Sequence, residues 1–330
     1  MRSFRVIGVV VALGLGASVL AIVGLSRHRE PPRAVRSIAL SADSRWLASG
    51  SANGPVRIVD LRDRAVPARV LDFPGNLNDL RFSPDSDSLA VANRNISIVA
   101  IAGGGGVRVL RDDEANYGAV RFSPDGRSIL TINGKGAVQL IDRATASVRT
   151  VYCCSSIWGD VDFSPDGNRI VWAGHWPGVW GFRSAFMEGR LTASREEMTF
   201  GPVGIGEAIY MGSQDGRVHR WDLATRRAMG TSPPLVGYVR SLVLLGASGW
   251  VAYAATGGPV HVWNPATGET RVVETARATS NLVFDGFGNR VAFGTAAGNV
   301  EFWDLVQGRL LAMVPGDWQD GVGRTVQSTP

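Results

Sequence analysis

The turn Phe82-Ser83-Pro84-Asp85 returns along the chain as Phe122-Ser123-Pro124-Asp125-Gly126 and as Phe163-Ser164-Pro165-Asp166-Gly167. Proline presets φ for a turn, aspartate can accept hydrogen bonds from the local backbone, and glycine tolerates positive φ where the next strand begins. Each copy therefore predicts a hairpin turn, with Asp85, Asp125 and Asp166 as structural residues.

A second motif, an apolar residue followed by Asp or Asn, closes each unit: Val59-Asp60, Ile141-Asp142, Trp221-Asp222, Trp263-Asn264 and Trp303-Asp304. Weaker copies at Val99-Ala100 and Gly181-Phe182 complete seven units, spaced by 40 or 42 residues. A repeat of this length made of short apolar runs predicts a blade of four antiparallel strands. We expect an all-β, seven-bladed β-propeller over residues 35–316, followed by a polar tail over 317–330.

These turns and endings resemble those of the WD-repeat (tryptophan–aspartate) β-propeller family over roughly residues 35–315. The family's Gly-His dipeptide before the first strand is absent from every unit, so its His-centred hydrogen-bond network is not expected here. Blades 2 and 4 lack the closing pair, and we expect apolar packing alone to hold them and their strands to be the least regular. The resemblance marks these structural repeat residues: Asp60, Asp85, Asp125, Asp142, Asp166, Asp215, Trp221, Asp222, Trp263, Trp303 and Asp304.

Residues 6–25 form an uncharged apolar run between a basic flank, 1–5, and a basic linker, 26–34. A helix rising about 1.5 Å per residue would cross the hydrocarbon layer of about 30 Å, so this run predicts one N-terminal transmembrane helix, an uncleaved anchor. A cleaved signal peptide is the alternative, but its apolar region is usually shorter and ends in small residues. The arginine count favours a cytoplasmic propeller, whereas short signal anchors usually keep their N-terminus inside, so both orientations stay open.

The formal net charge of +5 belongs to the N-terminal region. Residues 1–36 contain six arginines and one glutamate, which leaves 28 basic and 28 acidic residues for 37–330. A neutral propeller has no electrostatic footprint for nucleic acid, so no nucleic-acid partner is predicted. Lys135 is the only lysine, a skew that indicates GC-rich bacterial coding sequence.

No motif for a nucleophile elbow, a phosphate loop or a zinc helix occurs in the sequence, so no catalytic residue and no cofactor is predicted. The adjacent Cys153 and Cys154 are expected to be free thiols, because a disulfide between neighbours needs a distorted peptide. His219 and His261 occupy equivalent third-strand positions and have no Cys or carboxylate at ligand spacing, so no metal site is predicted.

The family resemblance implies that the Ser-Pro-Asp turns lie on the bottom face of the ring. The connections that lead into each first strand, and those that join the second strand to the third, lie on the opposite top face. Aromatic side chains on such a rim are frequent anchors for protein partners. The predicted partner-binding residues at the top are Tyr117, Trp158, His175, Trp176 and Tyr238.

Two functions follow as hypotheses. The first is a membrane-tethered, non-enzymatic platform that captures a protein or peptide partner on its top face. The alternative is a propeller that binds a small ligand or cofactor in its central channel, as hydrolase-like or dehydrogenase-like propellers do. Asp79 and Asp160 are the charged candidates for such a channel site.

Overall fold

The structure is a computed structural model. It describes residues 34–63, 65–101, 106–111, 113, 115–152, 160–164, 166–174, 177–181, 186–191, 199–205, 208–245, 249–255, 257–278, 281–284, 290–305 and 307–315. Within these ranges no helix is long and apolar enough to cross a membrane. The predicted anchor, 6–25, its flanks 1–5 and 26–33, and the tail from 317 onward lie outside the described residues.

The described chain folds into 28 strands in seven four-stranded antiparallel sheets. Blade 1 contains β1 Val35–Leu40, β2 Trp46–Ser51, β3 Val56–Asp60 and β4 Arg69–Leu71. Blade 2 contains β5 Asp79–Phe82, β6 Ser88–Ala92, β7 Ile96–Ala100 and β8 Val107–Arg111. Blade 3 contains β9 Ala119–Phe122, β10 Ser128–Ile132, β11 Val138–Asp142 and β12 Val148–Tyr152.

Blade 4 contains β13 Val161–Phe163, β14 Arg169–Trp172, β15 Gly178–Gly181 and β16 Phe186–Arg190. Blade 5 contains β17 Thr199–Ile205, β18 Ala208–Ser213, β19 Val218–Asp222 and β20 Ala228–Thr231. Blade 6 contains β21 Ser241–Leu245, β22 Trp250–Ala254, β23 Pro259–Trp263 and β24 Thr270–Arg277. Blade 7 contains β25 Val283–Phe284, β26 Arg290–Gly294, β27 Val300–Asp304 and β28 Arg309–Val314.

The seven-bladed all-β architecture predicted from the repeats is confirmed. Strands within each blade pair in chain order, so every blade is one contiguous stretch and β28 is the outer strand of blade 7. The seven first strands lie side by side around the centre, and β25 also packs against β1. The first strands therefore line a central channel.

Seven buried apolar clusters fill the seven interfaces between neighbouring blades. At the closure between blades 7 and 1, Ile38 and Leu47 of blade 1 pack with Ala292 and Phe302 of blade 7. This interface is built like the other six. Burial of apolar surface is the main stabilising contribution at each of them.

Polar bonds also cross the blade interfaces at the top end of the first strands. The Ile38 amide of blade 1 donates to Asn281 Oδ1 of blade 7 at 2.9 Å, and Asn281 Nδ2 donates back to the Ile38 carbonyl at 2.9 Å. The Val35 amide also donates to the Thr295 carbonyl of blade 7 at 3.4 Å. Side-chain packing alone therefore does not close the ring, because backbone groups of β1 bond to blade 7 without adding a strand to it.

Asn281 is not the only side chain with this role. The Val120 amide of blade 3 donates to Asp79 Oδ2 of blade 2 at 3.2 Å, and the Leu282 amide of blade 7 donates to Ser241 Oγ of blade 6 at 2.7 Å. In each case the side chain of a residue that precedes or begins a first strand accepts a hydrogen bond from a backbone amide in the next blade. That amide belongs to the residue one position further along the aligned repeat.

The repeated aspartates hold the turns. Ser123 Oγ donates to Asp125 Oδ1 at 2.6 Å and accepts the Ser128 amide at 2.9 Å, and Gly126 follows with φ of +70°. The turns at Asp85 and Asp166 have the same bonds. The closing Asp142 accepts the amide of Thr145 at 2.8 Å, and the equivalent bonds occur at Asp60, Asp222 and Asp304.

Blade 2 contradicts the expectation of irregularity. Its four strands of four or five residues are fully paired although the closing aspartate is replaced by Ala100. The Ile101 amide donates to the Asp87 carbonyl at 2.9 Å, and Arg69 Nη1 donates to the Ala100 carbonyl at 2.7 Å. These bonds fix the end of β7 without a closing aspartate, so apolar packing does not hold this blade alone.

We predict that Asn281→Ala lowers the free energy of unfolding by about 2 kcal/mol, because it leaves the N–H and C=O of Ile38 without their partner. Urea unfolding of the full chain measures the change. Asn168→Ala, which removes an exposed side-chain bond in a surface turn, is the matched control and should cost less than about 0.5 kcal/mol. Equal costs for the two variants would contradict a special role for Asn281.

Candidate functional site

The first strands of blades 2, 3 and 4 direct charged side chains into the central channel. They share one frame, Leu80-Arg81-Phe82, Val120-Arg121-Phe122 and Val161-Asp162-Phe163, which leads into the Ser-Pro-Asp turns. Alternate residues of a strand point to opposite sides, so the charged residue projects opposite to its apolar neighbours.

Arg121 lies between two carboxylates at the centre of this set. Its Nη1 contacts Asp79 Oδ2, and its Nη2 lies 2.5 Å from Asp160 Oδ2. The side chains of Arg121 and Asp79 are only 10% and 9% exposed, whereas that of Asp160 is 25% exposed. Charge-assisted hydrogen bonds of this kind stabilise a buried ion cluster that would otherwise be costly to desolvate.

Two further charges of opposite sign lie beside this triad. Arg81 Nη1 is 3.9 Å from Asp79 Oδ1 and donates to the neighbouring Leu80 carbonyl at 3.3 Å. Asp162 Oδ1 accepts the Phe163 amide at 2.8 Å. No other hydrogen bond or ion pair of 4.0 Å or less to either side chain occurs within the described part of the chain.

Burial and neighbouring charges shift the pKa values of these groups in different directions. Burial raises the pKa of Asp162 to about 6, although Arg121 opposes the shift. Burial likewise raises the pKa of Asp160 despite its contact with Arg121. Burial also disfavours the charged form of Asp79, but Arg81 and Arg121 outweigh it and lower that pKa. For Arg81, burial and the nearby Arg121 both lower the pKa.

These residues line a cavity of about 270 Å³ in the channel. Arg81, Arg121, Asp160 and Asp162 form one side of it. The other side is formed by the first strands of blades 6 and 7 and the segments leading into them: Arg240, Ser241, Leu242, Val243, Asn281, Leu282 and Val283. The charged side of the cavity thus faces a side on which Arg240 is the charged residue and the others are neutral.

The top-face aromatic residues predicted from sequence have different positions. Tyr117 is fully buried, and its hydroxyl donates to Asp113 Oδ1 at 2.9 Å. Its expected role as an exposed partner anchor is therefore wrong, since its hydroxyl is satisfied within blade 2 and its ring packs between blades 2 and 3. Trp158, His175 and Trp176 lie outside the described residues, as do Cys153 and Cys154.

Tyr238 is 48% exposed on the connection from blade 5 to blade 6, and Val236 beside it is fully exposed. Val236 also lines a second cavity of about 270 Å³, whose other residues are mainly apolar and include Pro234, Leu235, Pro259 and Val272. We call Val236, Tyr238 and this cavity the blade 6 rim.

The connection that carries the blade 6 rim is held at several points. The Leu235 amide donates to the Gly216 carbonyl at 2.9 Å, and the Val239 amide donates to the Ser213 carbonyl at 3.1 Å. The Tyr253 hydroxyl donates to the Pro233 carbonyl at 3.1 Å. A Cβ at position 216 would lie 2.4 Å from the Leu235 carbonyl oxygen, so glycine allows this close approach. The exposed side chains are therefore presented on a fixed backbone.

Asp215 contacts a histidine that the sequence motif does not predict. Its Oδ2 lies 2.9 Å from His219 Nε2, and the His219 ring stacks on Trp221 with 5.6 Å between centroids. His219 comes from the third strand and not from a Gly-His dipeptide, which corrects the expectation that blade 5 has no such contact. Trp221, Trp263 and Trp303 are buried between blades, consistent with a structural role.

The described residues contain no group of three or more His, Cys, Asp or Glu arranged to hold a metal ion. Sequence reasoning named Asp79 and Asp160 as channel charges but missed Arg81, Arg121 and Asp162. Their signal was present, since all three occupy the position two residues before the Ser of the repeated turn.

A ring of seven four-stranded blades around a charged channel defines a β-propeller. The family model "WD domain, G-beta repeat" matches residues 22–60. The chain is 25% identical over 140 residues to an uncharacterised WD repeat-containing protein of Synechocystis sp., covering 42% of this chain and 40% of that protein. It is 22% identical over 243 residues to telomerase protein component 1 of Rattus norvegicus, covering 71% of this chain and 9% of that protein.

The matched segments therefore span less than half of these relatives' own lengths. Together with the seven blades, these matches confirm the resemblance to WD-repeat β-propellers that the sequence motifs indicate.

The raised pKa of Asp162 has a defined effect on stability. A folded-state pKa of about 6, above the ordinary 3.8, means that the contribution of this group is fully present below pH 3.8. The contribution of Asp162 to the free energy of unfolding is lost as the pH rises through 6. We predict that Asp162→Asn, which cannot ionise, gains stability relative to the wild type by about 2 kcal/mol between pH 4 and pH 7.5.

Urea unfolding of both proteins across this pH range tests the prediction. Asp166→Asn is the control, because its expected change in stability has the opposite sign: hydrogen bonds from Ser164 and Asn168 lower the pKa of Asp166 to about 2. The stability that Asp166 contributes is present above pH 3.8, so this variant should be less stable than the wild type at pH 7.5. A pH-independent difference for Asp162→Asn would show that this carboxyl is not desolvated.

Proposed function

We propose that this protein is a non-enzymatic interaction platform, tethered to a membrane by residues 6–25, that captures a protein or peptide on its top face. WD-repeat propellers typically act as platforms for protein partners. The observation that carries the proposal for this chain is the blade 6 rim, where Val236 and Tyr238 stand exposed on a hydrogen-bonded connection.

The blade 6 rim has the features of a recognition surface. Exposed apolar and aromatic side chains beside a cavity are frequent anchors at protein interfaces, and Tyr is enriched among the residues that dominate binding. A backbone fixed before binding reduces the ordering cost of association. A partner that inserts an apolar side chain between Pro234 and Pro259 would bury this surface.

Trp158, His175 and Trp176 extend the proposed surface around the top of blade 4. This part rests on their sequence positions in connections that belong to the top face. Tyr117 has no part in the surface because it is buried. The apolar run over 6–25 supports tethering, with the propeller on either side of the membrane.

We predict that a photo-crosslinking amino acid, p-benzoylphenylalanine, placed at Tyr238 gives a discrete adduct with a partner in native membranes. The same group at Met229, which is equally exposed on the outer strand of blade 5, is the matched control and should give none. Val236→Asp should abolish the adduct while changing the free energy of unfolding by less than about 0.5 kcal/mol. Trp158→Ala and Trp176→Ala should weaken it with a stability change below about 1 kcal/mol.

Adducts of equal yield at positions 238 and 229 would contradict a specific surface at blade 6. A discrete adduct that Val236→Asp leaves unchanged would place the partner elsewhere on the top face. A loss of about 3 kcal/mol or more in Trp158→Ala or Trp176→Ala would mark those residues as core.

We predict that the full chain sediments with membranes and resists carbonate extraction, whereas a chain lacking residues 1–26 is released as a soluble folded propeller. The physical reason is the free energy of transferring twenty uncharged residues into the hydrocarbon layer. Fractionation followed by N-terminal sequencing measures both outcomes. If expression of the full gene instead yields a soluble protein whose N-terminus lies near Ser26, the apolar run is a cleaved signal peptide.

A further inference from the structure

The channel contains two charges at the edge of the ion triad, Arg81, whose Nη1 lies 3.9 Å from Asp79 Oδ1, and Asp162. Asp79, Arg121 and Asp160 bind one another through both arms of the Arg121 guanidinium. Arg81 and Asp162 lie at the equivalent position of blades 2 and 4, on either side of Arg121. Each has only the weak or local contacts described above, so each has capacity to bind a group of opposite charge.

These two side chains do not form an ion pair with each other among the described contacts of 4.0 Å or less. The cavity beside them is open enough to keep the Arg81 side chain 26% exposed. A desolvated charge that is only weakly paired is costly, and a ligand of opposite charge relieves that cost. The cavity therefore presents one cationic and one anionic binding point.

The chemistry of the lining restricts the ligand. A polyanion such as nucleic acid is disfavoured because Asp160 and Asp162 line the same wall as Arg81. A divalent cation is disfavoured by Arg81 and Arg121, and the described residues offer no set of three metal ligands. A volume of about 270 Å³ lies just below the usual range for ligand pockets, which favours a small molecule.

We propose that the central channel binds a small zwitterion, with its anionic group on Arg81 and its ammonium group on Asp162. The ligand class is an amino acid or an ω-amino acid with a short chain. The neutral wall formed by Leu242, Val243 and Val283 would contact its methylene groups. This inference does not depend on partner capture at the blade 6 rim.

The charges in contact range of the ligand come from every strand that lines the charged wall. They are Arg81 of blade 2, Arg121 of blade 3, and Asp160 and Asp162 of blade 4, with Arg240 on the blade 6 side; Asp79 lies behind them against Arg81 and Arg121. Asp79 and Asp160 are engaged by Arg121. Arg81 and Asp162 are therefore the pair whose substitution tests ligand binding while both contacts of the Arg121 guanidinium stay in place.

Isothermal titration of the full chain at pH 7.5 tests the proposal with three zwitterions of increasing charge separation: glycine, β-alanine and 4-aminobutyrate. Butyrate and butylamine are the probes that carry one charge only. We expect at least one zwitterion to bind with a Kd below about 1 mM and at least about tenfold more tightly than either single-charge probe. Asp162→Asn and Arg81→Gln should each weaken that zwitterion by about tenfold or more.

The matched controls are Asp87→Asn and Arg127→Gln, which change the same charges at exposed positions in bottom-face turns and should leave binding unchanged. If Arg81→Gln does not fold, Arg81→Lys replaces it and should keep binding within about threefold. Absence of saturable binding by all three zwitterions would overturn the proposal. So would equal affinity for zwitterion and single-charge probes, or binding that neither Asp162→Asn nor Arg81→Gln alters.

Discussion

The fold depends on hydrogen bonds that cross from the top of one blade to the first strand of the next. Asn281, Asp79 and Ser241 each bind an amide of the following blade, and Asn281 makes this bond where the ring closes. Apolar packing can hold two blades together at a range of angles, whereas a hydrogen bond fixes their separation and register. Within the described chain these bonds occur at the interfaces between blades 2 and 3, 6 and 7, and 7 and 1.

The side-by-side packing of the first strands also places charged side chains in the channel. First strands that pack side by side must turn alternate side chains toward the centre, so Arg81, Arg121 and Asp162 meet there from three blades. Asp79 shows how closely the two roles are linked, because it binds the Val120 amide and Arg121 with one carboxyl group. The structural ring and the proposed zwitterion site thus share a wall, while the blade 6 rim lies on a separate connection.

Repeat spacing predicted the seven blades and the start of the propeller at residue 35, because turn and strand chemistry are local and periodic. Contacts between blades could not be predicted in the same way. Tyr117 appeared to be a surface anchor from its position, yet Asp113 satisfies its hydroxyl and allows the ring to be buried. Arg121 was not predicted as a site residue, since only the closed ring brings Asp79 and Asp160 to it.

The most direct test of the closed ring is hydrogen exchange at the Ile38 amide, read by NMR in the full chain. Ile38 is predicted to exchange as slowly as Val120 and Leu282, whose amides are held by side chains across interfaces within the chain. That result would show that the closure between blades 7 and 1 is as stable as the internal interfaces. Exchange of Ile38 at the rate of exposed turn amides, with Val120 and Leu282 protected, would contradict the account and indicate an open ring.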